Sequence, residues 1–330
     1  MFGKRSDGVK VKNLDIIEKA TPYFMPMRID AVNYYNQPIS CENLDKFILE
    51  QKAKNGVHYS YTEILIAAAV RMLYERPKTN RFINNCVIYQ RNYISVSMAV
   101  KEKLTDDGAE DTLKFYFTGR ESLPEVKKIV DDEIAKFTNP SKEDLHKTTK
   151  AANFLCKLPN WLFKFALWVA AKMDKHNCLP KKLIDASPFH TSMFVTDLRS
   201  IKLDKVFHHL YNFGNTTIFG ALGKVQYVPV SDRSGAVTVE KRMELGLSLD
   251  ERVCDGLYYG KSVRLLMSYL SDPDLLMTAL PEPELDQKAL KKKQKHDKKI
   301  AKNEERKLKR QQRKERLKKT KLVSKKKKGN

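Results

Sequence analysis

The chain is predicted to be an α/β protein, because strand-like and helix-like segments alternate along it. In the strand-like segments apolar residues recur at every second position, as at residues 93–100. In the helix-like segments they recur every three or four positions, as at residues 43–54. With 42% hydrophobic residues, the chain can bury the core of one large domain or two medium ones.

The pattern in the first half of the chain predicts three helices and four strands. The helices are expected at residues 43–54, 62–74 and 123–137, and the strands at residues 57–61, 87–89, 93–100 and 113–119. Residues 62–74 are too apolar for a surface helix, so we expect this helix to be buried and to end before Pro77.

The second half is predicted to begin with a polar linker at residues 138–149. Further helices are expected at residues 152–174 and 260–270, and strands at residues 193–196, 218–222, 225–230, 237–241 and 245–249. The strands at 225–230 and 237–241 should form a hairpin, because the Ser-Gly pair between them favours a turn.

Residues 161–171 are the most apolar stretch, interrupted only by Lys164, and they contain both tryptophans. The stretch is about half as long as a membrane-spanning helix, so we do not expect it to cross a bilayer. Two interpretations remain. The helix packs in the core or on a neighbouring subunit, which we favour, or it lies at a membrane interface.

The charge of the chain is concentrated at its C-terminal end. The formal net charge is +22, and residues 286–330 hold 22 Lys and Arg against 5 Asp and Glu, which leaves 40 against 35 elsewhere. A domain that grips nucleic acid over its whole surface is therefore excluded. We divide the chain into an arm (1–22), a domain (23–280) and a basic tail (281–330). The tail is a solvated extension, or it makes non-specific contact with nucleic acid or an anionic membrane through residues 286–330.

The five cysteines argue against a disulfide framework or a zinc site, because their number is odd and no C-x-x-C pair occurs. We therefore expect no metal and a reducing, cytoplasmic location. The N-terminal residues also lack the apolar core of a signal peptide.

The most informative segment is LSLDERVCDGLYY at residues 247–259, where a predicted strand runs into a loop and then a helix. It resembles the signature of the chloramphenicol acetyltransferase superfamily, which includes the catalytic domains of dihydrolipoyl acyltransferases. In that signature the strand ends in His-x-x-x-Asp-Gly, with Asp and Arg flanking the histidine in the dihydrolipoyl enzymes. The chain shares Asp250, Arg252, Val253, Cys254, Asp255 and Gly256 with one form of the signature or the other.

The resemblance covers roughly residues 20–280. Further similar stretches occur in the family's order at residues 28–35, 61–80, 97–100, 187–198 and 217–223. The resemblance implies a two-layer α/β fold of coenzyme-A-dependent acyltransferases, with coenzyme A bound as acyl-CoA. It also implies a homotrimer, in which each active site lies between the motif loop of one subunit and a hydroxyl-bearing strand of the next.

The main departure from the family is Glu251, which stands where the catalytic histidine is expected. In the family this imidazole takes a proton from the acceptor, which then attacks a thioester. An unperturbed glutamate has a pKa about two units below that of histidine, so it is the weaker base unless burial raises that pKa. Glu251 is thus either an altered base or the sign of lost catalysis.

Other site residues follow from the same resemblance. Thr196 is our preferred donor to the developing oxyanion, and Thr191 or Ser192 is the alternative. His190, His208 or His209 could supply a base. Arg28 and Asp255 are expected to form an ion pair that holds the loop, and Gly256 to meet a backbone requirement of the turn. Cys254 is expected to be a core cysteine.

Two functions are therefore open. The first is acyl transfer from acyl-CoA to a hydroxyl, amine or thiol acceptor, with Glu251 replacing the histidine. The second is an inactive family member that acts as a binding or scaffold protein.

Overall fold

Two sheets and the helices packed on them make up the computed structural model, which describes residues 4–101, 110–138 and 158–281. The larger sheet has seven strands in the order β2-β10-β8-β7-β5-β6, with β9 paired to the far part of β10. Strand β7 runs parallel to both its neighbours, and the other pairs are antiparallel. The smaller sheet is antiparallel in the order β1-β4-β3. The strands are β1 (Gly8–Lys10), β2 (Val32–Ser40), β3 (Arg81–Asn84), β4 (Val87–Arg91), β5 (Ile94–Lys101), β6 (Glu110–Phe117), β7 (Met193–Asp197), β8 (Ile218–Leu222), β9 (Gln226–Ser231) and β10 (Val237–Asp250).

Among the described helices, those at residues 42–55, 61–75, 123–138 and 256–271 pack on the larger sheet. The described helices are α1 (Ile16–Phe24), α2 (Glu42–Asn55), α3 (Tyr61–Glu75), α4 (Leu123–Thr138), α5 (Asn160–Lys175), α6 (Lys181–Ala186) and α7 (Gly256–Ser271). Short 3₁₀ turns occur at Ile29–Ala31, Pro77–Asn80, Arg199–Ile201, Glu251–Val253 and Pro273–Leu276. Helix α3 lies at the centre of the core between α4 and α7, and its residues from Glu63 to Leu73 are all buried. Its first turn is closed by a capping box, in which Ser60 and Glu63 bond each other's backbone N–H groups.

The face of the sheet opposite the helices is covered in part by residues 202–213. The His208 ring stacks on Phe219 at 4.0 Å, and Phe219 stacks on Phe194 at 4.9 Å. The segment passes so close to β10 that a Cβ on Gly246 would lie 2.5 Å from the Val206 carbonyl oxygen. The glycine at position 246 is therefore required for this close approach.

Most of the predicted elements are confirmed, with the bounds given above. The buried helix at 62–74 is α3, and the hairpin at 225–241 is formed by β9 and β10 around Gly235, whose φ is +87°. The predicted strand at 57–61 is wrong, because these residues are irregular up to the cap of α3. The predicted strands at 237–241 and 245–249 are one continuous strand, β10.

The predicted arm, residues 1–22, contributes β1 and most of α1 to the packed structure. The polar linker beyond residue 138, the helical region before residue 158 and the tail from residue 282 lie outside the described residues.

Helix α5 is not packed in the core. Only Asp174 is buried along its 16 residues, and Trp161 is 71% exposed. The expectation that residues 161–171 pack in the core is thus wrong, because most of the large apolar side chains of this helix are exposed. None of the described helices is long and apolar enough to cross a membrane.

Candidate active site

The motif loop joins the end of β10 to the start of α7. Asp250 is the last residue of the strand, Glu251–Val253 form a 3₁₀ turn, and Asp255 is the N-cap of the helix. The Asp255 carboxylate accepts a hydrogen bond from the Tyr258 backbone N–H at 2.8 Å. This is the usual way in which aspartate stabilises a helix start.

A buried ion pair fixes the shape of this loop. Arg252 donates from Nε to Asp250 Oδ1 at 2.8 Å and from Nη2 to Asp250 Oδ2 at 2.7 Å, and both side chains are at least 96% buried. Arg252 Nη1 also donates to the backbone oxygens of Met25 and Pro26. Such a bidentate pair has one preferred geometry, so Glu251 between its partners has a defined position.

Glu251 is half-buried and lines a cleft of about 440 Å³ between the motif loop and α1. Other carboxylates on the same cleft are Asp15, Glu18 and Asp255. Glu18 is neutralised by Lys78, whose Nζ lies 2.7 Å from it. The part of the cleft around these carboxylates is therefore acidic, and it suits a cationic or hydrogen-bond-donating group.

A second cleft, of about 480 Å³, lies on the other side of Arg252. Its lining includes Arg28, Asn84, Asp174, Lys175 and Gly214. Arg252 thus separates an acidic cleft from one that contains charges of both signs.

The predicted ion pair between Arg28 and Asp255 is not formed. Arg28 instead donates to the backbone oxygens of Thr216 and Gly214, both at 2.6 Å, while Asp255 is exposed and caps α7. Burial lowers the pKa of Arg28 to about 10, and the charge of Asp250 works in the opposite direction. The scaffold ion pair of the loop is therefore Asp250–Arg252, and Arg28 holds the neighbouring segment 214–216.

Two further expectations about the motif can be compared with the structure. Cys254 is 3% exposed, and burial raises the pKa of its thiol to about 12, so it is confirmed as a core cysteine. Gly256 is the first residue of α7, and a Cβ there would meet no atom within 4 Å. The expected backbone requirement at Gly256 is therefore wrong.

His190 lies in a buried polar network rather than in the Glu251 cleft. The ring is fully buried, with Nδ1 2.8 Å from Ser187 Oγ and Nε2 3.4 Å from Asp174 Oδ2. Asp174 also pairs with Arg5 at 2.8 Å. Burial alone would raise the pKa of Asp174, but the hydrogen bond from His190 and the charge of Arg5 outweigh it and hold that pKa below its ordinary value.

The network continues from Arg5 to the small sheet and the 214–216 segment. Arg5 forms a bidentate pair with Asp7, Asp7 accepts from Asn215 at 2.7 Å, and Asn215 accepts from Arg91 at 3.0 Å. Burial would raise the pKa of Asp7, yet the bonds from Arg5 lower it overall. Sequence reasoning missed this set, because its members come from five distant segments and follow no periodic pattern.

Within a single chain, Thr191 and Ser192 also have structural roles. Both are fully buried, and Thr191 Oγ1 donates to the Ser95 backbone oxygen at 2.9 Å. Ser192 Oγ accepts from the Ser95 backbone N–H at 3.1 Å. These hydroxyls join the starts of β5 and β7, and neither residue lines the Glu251 cleft.

Thr196 is half-buried and lies far from Glu251 within the chain. The register pairs Thr196 with Ala221 and Ala221 with Gly246, which is five residues before Glu251. At about 3.3 Å per residue and about 4.8 Å per strand, the two backbones are roughly 19 Å apart. A single chain therefore does not bring Thr196 to Glu251.

The two neighbouring histidines lie above the sheet face that carries Thr196. His208 stacks on Phe219, and the exposed His209 contacts Tyr211 edge-on at 4.7 Å. Neither lines the Glu251 cleft. Among the described residues, no group of three or more His, Cys, Asp or Glu side chains could hold a metal ion.

Comparison with known proteins confirms the resemblance inferred from the motif. The family of 2-oxoacid dehydrogenase acyltransferases (catalytic domain) matches residues 195–278. A probable dihydrolipoamide acetyltransferase from Listeria monocytogenes superposes with a TM-score of 0.50 at 14% identity, over 79% of this chain and 94% of that chain. The dihydrolipoamide acetyltransferase of Azotobacter vinelandii gives a TM-score of 0.50 at 15% identity, over 81% and 94% of the two chains. The search of curated proteins gave no match.

These likenesses confirm the predicted fold class. The chain has the two-layer α/β fold of the acyltransferase catalytic domains, and the residues matched by the family include Thr196 and the whole motif loop.

Proposed function

We propose that the chain transfers an acyl group from acyl-CoA to an amine or hydroxyl acceptor, with Glu251 as the general base. The observation that carries the proposal is the position of Glu251. It follows β10 directly, is held between the two partners of a buried ion pair and faces a cleft. The Azotobacter vinelandii structure addresses the catalytic roles of a serine, a histidine and an asparagine four residues after that histidine. Glu251 and Asp255 have the same spacing.

The chemistry of a carboxylate base favours some acceptors over others. Glu251 would accept a proton from the acceptor as its nitrogen or oxygen attacks the thioester carbonyl carbon. The carbon–sulfur bond then breaks, and coenzyme A leaves as a thiol after it takes up that proton. A thiol acceptor is disfavoured, because forming a thiolate beside a carboxylate places two negative charges together. An amine is favoured further by the acidic lining of the cleft.

The proposal includes a homotrimer whose active sites lie between subunits. Thr196 would then stabilise the oxyanion at a Glu251 of a neighbouring copy, since the two residues are too far apart within one chain. Apolar residues around the cleft support such a contact, because Ile17 and Phe24 of α1 are at least 75% exposed.

Release of free coenzyme A from acetyl-CoA, measured with and without simple amines and alcohols, tests the proposal. We expect Glu251→Gln to lower the transfer rate by about 10²–10⁴-fold, because removal of a general base has that effect. Glu251→His should retain transfer. Glu240→Gln is a matched control on the same strand, and it should leave the rate unchanged.

The second candidate function, an inactive scaffold, is favoured by the presence of Glu251 where the motif has histidine. It predicts that the wild-type chain neither binds coenzyme A nor transfers an acyl group. It also predicts that Glu251→His gains nothing. That pair of results would overturn the first proposal.

A further inference from the structure

Helix α5 carries an aromatic stripe on its outer face. Trp161, Phe165, Trp168 and Lys172 follow at spacings of four, three and four residues, which places them on one side of a helix. The three aromatic side chains are 71%, 55% and 56% exposed. Phe165 stacks on Trp168 at 6.0 Å, so the rings form a continuous apolar surface.

The two tryptophans on this stripe are the only two in the chain. Tryptophan is ordinarily among the more buried residue types, because it gains most from leaving water. Placing both on the same exposed face indicates that this face contacts another apolar phase or surface.

The charges around the stripe identify the kind of surface. Lys164, Lys172 and Lys175 lie beside the aromatic residues, and the Lys172 ammonium lies 5.6 Å from the centre of the Trp168 ring. The only carboxylate of the helix is Asp174, which is buried and paired with Arg5 and His190. The outer face of α5 is thus apolar and cationic, with no acidic residue.

We propose that α5 binds the surface of an anionic lipid bilayer, with its axis in the plane of the membrane. Tryptophan and lysine together suit the headgroup region, where the ring is partly in hydrocarbon and the ammonium reaches the lipid phosphates. The helix is about 24 Å long, and its aromatic residues extend over about two turns. A second copy of the chain is the weaker partner, because the same face of another copy carries the same lysines and no exposed carboxylate to pair with them.

Tryptophan fluorescence provides a direct test, because both tryptophans lie on α5. The full chain is mixed with phosphatidylcholine vesicles or with mixed phosphatidylcholine–phosphatidylglycerol vesicles at the same moderate salt concentration, at which the lysines of α5 still attract anionic lipid. We expect the emission to shift to the blue and to be quenched by brominated lipid only with the anionic vesicles.

Two sets of variants test the roles of the stripe and of its charges. Phe165→Ser keeps both reporters and should weaken vesicle partitioning about tenfold. Lys164→Gln and Lys172→Gln should each weaken it about fivefold. The matched controls are Tyr227→Ser, at a site 72% exposed on β9, and Lys261→Gln, at an exposed site on α7. Neither control should change partitioning.

Two results would overturn the proposal. Sedimentation with anionic vesicles without a change in tryptophan emission would show that the tail alone binds lipid. A blue shift that grows with protein concentration in the absence of vesicles would show that α5 packs on a second copy.

Discussion

Two ion pairs of the same sequence spacing lie in different surroundings, one within strand β10 and one that joins its last residue to the motif loop. Asp250–Arg252 is almost completely buried, whereas the side chains of Glu240–Arg242 are 28% and 27% exposed. Removing one partner of a buried pair leaves a charge without compensation in a medium of low polarity. Removing one partner of an exposed pair leaves a charge that water solvates.

We therefore expect Asp250→Asn to lower the free energy of unfolding by about 3–5 kcal/mol. Glu240→Gln should lower it by less than about 1 kcal/mol. Urea denaturation of the two variants and the wild type measures both changes. Equal losses would show that the buried pair of Asp250 with Arg252 does not hold the motif loop.

The position of the motif loop could be predicted from single residues, but most of its contacts could not. The sequence placed Glu251 between a strand and a helix and placed Cys254 in the core, because a local pattern determines both. It paired Arg28 with the wrong group, since the true acceptors are backbone oxygens of Gly214 and Thr216. A backbone acceptor has no signature in the sequence, because every residue provides one.

At the scale of elements, prediction succeeded where one face of an element is buried. Strand β5 has Ile94, Val96 and Met98 in the core and was predicted from that alternation. Strand β2 was not predicted, because it lies at the edge of the sheet and most of its residues are exposed or half-buried. Pairing with β10 stabilises β2 as a strand, and no local sequence pattern indicates that pairing.

Substitution of Gly246 tests how closely residues 202–213 pack on the sheet. Gly246→Ala would place a Cβ 2.5 Å from the Val206 carbonyl oxygen, so we expect this segment to move away and its amide hydrogen exchange to increase. Gly260→Ala is the matched control, since nothing lies within 4 Å of that position in α7. It should stabilise the chain by about 0.5–1 kcal/mol, because alanine favours a helix interior. Unchanged exchange at residues 203–209 in Gly246→Ala would contradict the close packing.

At the scale of the whole molecule, the sheet keeps the two parts of the proposed site apart. Thr196 and Glu251 lie toward opposite ends of β7 and β10, which are separated by β8, and the register of these three strands prevents them from meeting by a small movement. The fold itself followed from the order of motifs along the sequence. The distance between Thr196 and Glu251 did not follow from that order, because it depends on the strand register. A shift of the register by one residue would change it.

A mixing experiment separates a site between subunits from a site within one chain. If the transfer activity proposed above uses Glu251 of one copy and Thr196 of the next, Thr196→Ala and Glu251→Gln should each be nearly inactive. Coexpressed chains of both kinds should then regain activity, because a quarter of the sites in random closed oligomers, on the order of 25%, combine an intact residue from each copy. The control is a chain with both substitutions, coexpressed with Glu251→Gln, which contains no intact pair. Activity that stays at the level of this control would place the whole site within one chain and exclude Thr196 as the oxyanion donor, since Thr196 and Glu251 are roughly 19 Å apart there.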